Sequence, residues 1–321
     1  METKPHTGPE PLKYIDLFAG IGGLRIPWDE LGAQCVFSSE WDKKCQETYR
    51  AWFNEEPEGD ITEIEAADIP AHDLLLAGFP CQPFSVMGKG EGFSDTRGTL
   101  FYDIERILAH HRPSMLMLEN VKRLVSHDQG RTIHTILEAL NNLGYSVSYK
   151  VLNALDFGLP QNRERVILVG FLNPDTHARF TWPEPRPGEY DLSRILEPET
   201  DIDPSLYASE YIRTKRAASV AGKDVFYPSM WHENKSGNIS ILPYSVALRT
   251  GASYNYNLVN GDRRPSSREL LRLQGFSDDL PIVVSHGEVR RQTGNAVPPA
   301  LSRPVAQKMT EALAQTRKEN S

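Results

Sequence analysis

Short apolar runs alternate with helix-patterned segments through the first half of the chain, and this alternation restricts the fold more than any other sequence feature. The runs that read as buried strands are "KYIDLF" (13–18), "QCVFSSE" (34–40), "DLLLAG" (73–78), "SMLMLEN" (114–120) and "RVILVGF" (165–171). Between them lie the glycine turn "AGIGG" with a helix from about Leu24, then "DKKCQETYRAWF", "TLFYDIERILAHH" (99–111) and "RTIHTILEALNNLGY", the last ending near Gly144. Apolar strands separated by helical segments belong to a sheet buried on both faces. The expected class is α/β: a Rossmann-like, mostly parallel sheet with helices on both faces.

The pattern changes after Phe171. Prolines at 174, 183, 185, 187 and 198 crowd a stretch of little periodicity, and 190–264 is irregular, with β-like runs such as "NISILPYSVALR" (238–249). Helical spacing returns in "SSRELLRLQGF" (266–276) and "PPALSRPVAQKMTEALAQ" (298–315). The expected division is a tail (1–12), the main domain (13–189), a smaller irregular β-rich domain (190–264), a hinge and return segment (265–289), and a C-terminal helix (290–321) that completes the main domain. No apolar run approaches the roughly 18–20 residues that span a bilayer, and the polar start "METKPHTGPEPLK" is no secretion signal, so a cytoplasmic protein without a membrane partner is expected. Cys35, Cys45 and Cys81 show no Cys-x-x-Cys spacing, which points away from a disulfide framework and from a metal site. Net charge is −8, yet Tyr211–Leu273 holds ten Lys/Arg against four Asp/Glu. A basic region on an acidic body is compatible with a docked phosphate backbone, and equally with an ordinary solvated surface.

Strand, glycine turn and helix in "DLFAGIGGL" make the start of a nucleotide-type pocket, with Gly20, Gly22 and Gly23 allowing close approach of backbone to a ligand. Glu40 ends the next strand, where an acid can accept from ribose hydroxyls. The Gly-x-Gly-Gly spacing lacks the full pyrophosphate-binding pattern, so an adenosine without phosphates suits it, S-adenosylmethionine being the common one. A tight structural turn or a dinucleotide site is comparably compatible. Asp60 in "EGDITE" reads either as a contact to an adenine amino group or as a helix N-cap.

Cys81 follows the third strand, between Pro80 and Gln82, in a loop Gly78–Gly98 rich enough in glycine to act as a lid. A lone cysteine is commonly a small buried hydrophobe, but this setting and a position at the carboxyl edge of the sheet suit a nucleophile. "MLENV" delivers Glu119 from an apolar strand, and "QNRER" delivers Arg163 and Arg165 at alternate positions. A thiol, a carboxyl and fixed cations thus converge on one pocket. Taken singly, Glu119 reads as a cap and the arginines as ion-pair partners.

"DLFAGIGG", "GFPCQPFS", "LENV", "QNRER", "RELLRLQGF" and "GNAVP" occur in the order seen in the DNA cytosine-5 methyltransferases. The chain resembles that family from about Lys13 to Val305, apart from roughly 190–260, and is most similar to its small bacterial restriction-modification members. The resemblance implies the S-adenosylmethionine-dependent methyltransferase fold and methyl transfer from that donor to carbon 5 of a cytosine in a short duplex DNA sequence. It implies attack of Cys81 on carbon 6 of a flipped-out base, protonation at N3 by Glu119, a hold on O2 by Arg165, support of the loop and nucleophile by Arg163, and a Pro80 carbonyl facing the cytosine amino group. It also implies a donor site of Phe18, Ala19, Gly20, Gly22 and Gly23, with Glu40 on ribose, Trp41 near adenine, Asp60 and Ile61 at the adenine edge, and Asn295 and Val297 returning from the C-terminus. The product would be S-adenosylhomocysteine. Arg290 departs from the family pattern, in which an aromatic residue often precedes the Gly-Asn pair, and leaves that part of the pocket open. Gln82, Ser85 and Arg97 would touch DNA or the base. In the recognition region His232, Asn234, Lys235, Arg249 and Asn255 are candidate readers of base edges. The segment resembles those of methylases acting on CpG-containing tetranucleotides such as CCGG. A monomer and a cognate restriction endonuclease acting on the same site complete the expectation. The alternatives are a tRNA cytosine-5 methyltransferase of the same fold, an inactive DNA-binding protein on this scaffold, and a dinucleotide-dependent enzyme.

Overall fold

The apolar runs lie side by side in one sheet. The structure, a computed structural model, describes residues 10–80 and 100–319. β1 (Lys13–Leu17), β2 (Gln34–Ser39), β3 (Leu74–Gly78) and β4 (Met115–Val121) are parallel, and the chain continues through β5 (Ser146–Asn153), the two-residue β6 (Gln161–Asn162) and β7 (Glu164–Phe171). The order across the sheet is β2-β1-β3-β4-β7-β5, with β7 antiparallel to both neighbours. β5 was not among the expected strands. It is the edge strand, with Tyr149 and Lys150 exposed, so its sequence "SVSYKVLN" carries no continuous apolar run.

The helices of this part are α1 (Arg25–Glu30), α2 (Lys43–Phe53), α3 (Phe101–His111), α4 (Arg123–Ser126), α5 (Arg131–Asn142) and α6 (Pro174–Arg179). Alternate strand residues feed opposite faces. Tyr14, Leu74, Leu76, Met115, Met117, Ile167 and Val169 pack on one side, and Ile15, Leu75, Ala77, Leu116, Leu118, Val166 and Leu168 on the other. The second face is covered by Ile104, Ile107 and Leu108 of α3 and Ile133, Ile136 and Leu140 of α5. The first is covered from the far end of the sequence, by Leu301, Val305, Ala306, Met309 and Ala312.

Residues 180–206 run as irregular chain with single 3₁₀ turns, followed by α7 (Glu210–Ser219). β8 (Met230–Glu233), β9 (Ile239–Leu242), the short β10 (Ser245–Val246) and β11 (Asn257–Val259) follow. β11-β8-β9 form a small antiparallel sheet, while β10 pairs with β6 and ties this region to the large sheet. α8 (Ser267–Gln274), α9 (His286–Asn295) and α10 (Pro299–Glu319) return to the main body. α8 starts with a capping box, Ser266 with Glu269, and stops at Gly275 in the left-handed conformation, φ 86°. Arg263 grips Glu269 with two hydrogen bonds of 2.8 and 2.9 Å, both side chains buried. Among the described residues no helix is long and apolar enough to cross a membrane.

Candidate active site

The carboxyl ends of β1 to β4 open onto a cleft of about 610 Å³. Open α/β sheets bind ligands at this edge because the strands end there in loops whose polar groups are free of the ladder. Phe18, Ala19, Gly20 and Gly23 follow β1 into the cleft wall, Glu40 and Trp41 follow β2, and Asp60 and Ile61 join them. Asn295 and Val297, after α9, close it from the C-terminal side. Gly20 has φ +56° with open space where a side chain would start, so backbone can meet a ligand there.

The other two glycines of the turn have a different job. A Cβ on Gly22 would lie 2.4 Å from the Phe53 ring, and one on Gly23 would lie 2.0 Å from the Val297 carbonyl oxygen. Gly20 and Gly23 nevertheless both line the cleft. Gly22 does not line the cleft; it lets the turn settle on α2, and Gly23 lets the C-terminal segment close against the first motif.

The Glu40 carboxylate is held by backbone N–H groups of Gly20 and Asp42, each at 2.8 Å. Burial raises its pKa, and those two donors oppose the rise. Asp60 realises the N-cap alternative, with Oδ1 accepting from the Thr62 N–H and hydroxyl, and it lines the cleft as well. Trp41 is 75% exposed at the rim. Several wall residues escaped the sequence reading. Asp16 is buried, with Oδ2 unpartnered among the described residues, and burial pushes its pKa up to about 8. Arg291 pairs with Asp42 at 2.7 Å, and Gln292 donates to the Lys44 carbonyl at 2.8 Å. The signal for Arg291 and Gln292 was their place just before "GNAVP"; Asp16 had the signal of a lone carboxylate inside an apolar strand.

Glu119 and Arg165 meet across the β4–β7 ladder. β7 is antiparallel, so its first residues lie at the same edge as the last residues of β4, and Arg165 pairs with Val121, two residues beyond Glu119. Arg165 Nε lies 2.8 Å from Glu119 Oε1, with both side chains largely buried. Burial raises the Glu119 pKa against the pull of Arg165 and Arg163, because the desolvated carboxylate loses more than the two cations return.

Arg163 sits between β6 and β7, fully buried and outside the cleft wall. It donates to the carbonyls of Leu248 (2.9 Å), Gly294 (3.0 Å) and Ala296 (2.8 Å). These bonds fasten the small-sheet region and the C-terminal return to the large sheet. Asn120 does related work, donating 2.8 Å to the Phe79 carbonyl and so fixing the exit of β3 just before Pro80. Pro80 lines the cleft. Cys81, Gln82, Ser85 and Arg97 lie outside the described residues.

The candidate base readers scatter in role. Asn234 caps its own turn through the N–H groups of Ser236 and Asn238, and Lys235 is exposed. His232 Nδ1 lies 3.1 Å from the Tyr256 carbonyl. Arg249 is exposed and stacks over the Tyr256 ring, 5.0 Å from its centre. Asn255 Oδ1 is buried without a partner among the described residues. Arg290 turns away from the cleft: it lies over Tyr254, 4.5 Å from the ring centre, and donates to Ser253 at 3.2 Å.

Comparisons with known proteins give the family and the fold. Residues 12–311 match the family model of C-5 cytosine-specific DNA methylases. The chain is 52% identical to the Type II methyltransferase M.HaeII of Haemophilus aegyptius over 301 residues, 94% of this chain and 93% of that one. It is 54% identical to M.NgoBI of Neisseria gonorrhoeae over 285 residues, 89% of each. M.HhaI of Haemophilus parahaemolyticus is 37% identical over 295 residues, 89% of this chain and 90% of its own. Among solved structures, S. pombe Dnmt2 matches in fold with a TM-score of 0.68 at 19% identity, over 94% of this chain and 99% of that one. The cleft at the carboxyl edge, the Glu119–Arg165 pair beside it and the match along nearly the whole chain lead to one conclusion: this protein belongs to the C-5 cytosine-specific DNA methylases and is an enzyme of the Type II restriction-modification kind.

Proposed function

We propose that the methyl donor is S-adenosylmethionine, that the acceptor is carbon 5 of a flipped-out cytosine in a short duplex sequence, and that Cys81 is the nucleophile. The observation that carries this reading is the Glu119–Arg165 pair held beside an acid-lined cleft whose rim includes Pro80, the residue before Cys81. The wall suits a cationic cosubstrate: the carboxyls of Glu40, Asp42 and Asp60 line the cleft, Asp42 paired with Arg291. Gly20 leaves room for backbone contact, and Trp41 offers an aromatic face to an adenine.

Carbon 5 of cytosine is a poor nucleophile. The Cys81 thiolate forms a bond to carbon 6, and the electron pair displaced from the 5,6 double bond makes carbon 5 nucleophilic. Glu119 gives its proton to N3 as charge develops there, while Arg165 donates to O2. When bound, S-adenosylmethionine supplies an electrophilic methyl group and leaves as S-adenosylhomocysteine. A base takes the carbon 5 proton, the electron pair left behind expels the Cys81 thiolate from carbon 6, and N3 returns its proton to Glu119, which restores the aromatic ring. The target base leaves the stack first, at a cost of a few kcal/mol. A CpG-containing tetranucleotide such as CCGG is the working target, on the sequence of the recognition segment alone, and a cognate endonuclease cutting the same site is the proposed partner.

Bisulfite sequencing of DNA from a host expressing the chain reads the modified context directly, and a Cys81→Ser variant should leave that DNA fully converted. A covalent adduct with 5-fluorocytosine duplex should form with the parent and not with the variant. Retained methylation by Cys81→Ser would overturn the nucleophile assignment. Side-by-side assays on duplex DNA and tRNA separate this reading from an RNA substrate.

A further inference from the structure

Arg249, Arg264 and Arg290 gather around one depression on the small-sheet side of α9, away from the cleft. Arg263 and Arg291, their immediate neighbours in sequence, grip carboxylates. These three form no ion pair among the described residues. They hold to aromatic rings and backbone carbonyls instead. Arg264 and Arg290 flank the Tyr254 ring, 5.9 and 4.5 Å from its centre, and Arg249 covers Tyr256. One nitrogen of Arg264 donates to Ser205, and one of Arg290 to Ala252 and Ser253. The remaining N–H groups of both forks, and the whole fork of Arg249, make no hydrogen bond among the described residues.

Three guanidinium groups share this wall with His286 and no carboxylate. Burial and the charges of Arg264 and Arg290 lower the His286 pKa. Like charges collected with no carboxylate in the wall repel, Asp203 reaching only His286 from outside it, and stacking on Tyr254 and Tyr256 orients them without neutralising them. A polyanion supplies the missing charge. The depression measures about 20 Å³, room for a water-sized group and too small for a nucleobase. The partner chemistry is therefore phosphate oxygen at the surface, not an inserted base.

We propose that Arg249, Arg264 and Arg290 form a docking site for the phosphates of the DNA backbone. The site rests on the duplex-DNA reading given above, and it moves Arg249 from reading base edges to holding phosphate. α9 joins the two sites, since Arg290 faces the docking cluster while Arg291, Gln292 and Asn295 line the cleft.

The test measures the Kd of the full chain for two fluorescent duplexes, one carrying the site found by bisulfite sequencing and one lacking it, across a salt series. Arg249→Gln removes no hydrogen bond among the described residues and is the clean single variant; a second variant replaces all three arginines by Gln. Each lost arginine should weaken binding about tenfold, equally on both duplexes, and lower the slope of log Kd against log salt by about 0.9. Replacing the three by Lys should keep most of that slope. An unchanged slope in the triple Gln variant would overturn the assignment. So would a loss confined to the site-bearing duplex, which marks base reading, or displacement of DNA by millimolar inorganic phosphate at constant ionic strength, which marks a free-anion site. The parent must methylate duplex in the same preparation. Failure there counts against the DNA reading, whereas an active parent with unaltered variants counts against the docking site alone.

Discussion

In the proposed mechanism Glu119 acts as an acid in a place where a carboxylate would ordinarily be ionised, and its surroundings act in that direction. Burial raises its pKa, while Arg165 at 2.8 Å keeps it oriented and limits the rise. The sign follows from this. A carboxyl raised above its unfolded value keeps its proton to higher pH, so its contribution to stability and its capacity to donate are present below the unfolded value and are lost as pH rises through the folded one. Glu119→Gln should cut kcat about 100-fold or more while leaving the fold intact, and the Gln variant should lack the alkaline decline of the parent's kcat profile. A Gln variant with parental kcat and an unchanged profile would remove Glu119 from the chemistry. The residue stood out in the sequence as a lone acid inside "MLMLENV", costly to bury without a role, although taken singly it also reads as a cap. Its convergence with Arg165 on one pocket was an expectation from the motifs, but the direct ion pair was not, because strand direction decides which ends meet.

At the scale of elements, the first motif and the last are one unit. Gly23 and Val297 are far apart in sequence, yet the missing Cβ of Gly23 is the space the Val297 carbonyl occupies. Gly23→Ala would put a carbon 2.0 Å from that oxygen, so backbone has to shift. We expect a loss of about 1–3 kcal/mol, read as a lowered denaturation midpoint, with a raised KM for S-adenosylmethionine because Asn295 and Val297 move with the segment. A variant with parental midpoint and KM would show that the turn can yield without disturbing the cleft. The glycine triplet was visible as a motif, but each glycine answers to a different neighbour: open cleft at Gly20, Phe53 at Gly22, Val297 at Gly23. No local pattern distinguishes these.

At the scale of the whole molecule, Arg163 fastens two distant segments to its own, donating once to the Leu248 carbonyl and twice to the Gly294–Ala296 stretch. Burial, then the neighbouring Arg165, lowers its pKa to about 9. Lysine offers a point charge where a planar fork is needed, so Arg163→Lys should destabilise the protein by about 2 kcal/mol or more and lower kcat/KM on DNA, with urea unfolding and steady-state kinetics as the readouts. Equal stability and activity in that variant would make the clamp dispensable. The sequence by itself determined the strand–turn–helix alternation, the order of the six motifs and so the family, because backbone preference and side-chain period act over a few residues and the chemistry demands particular residue types. Only the tertiary structure decided the reversal of β7 that joins Arg165 to Glu119, the covering of one sheet face by α10, and the turning of Arg290 toward Tyr254. Those depend on which distant surfaces bury each other, and burial free energy is summed over the whole chain instead of being written in any one stretch of it.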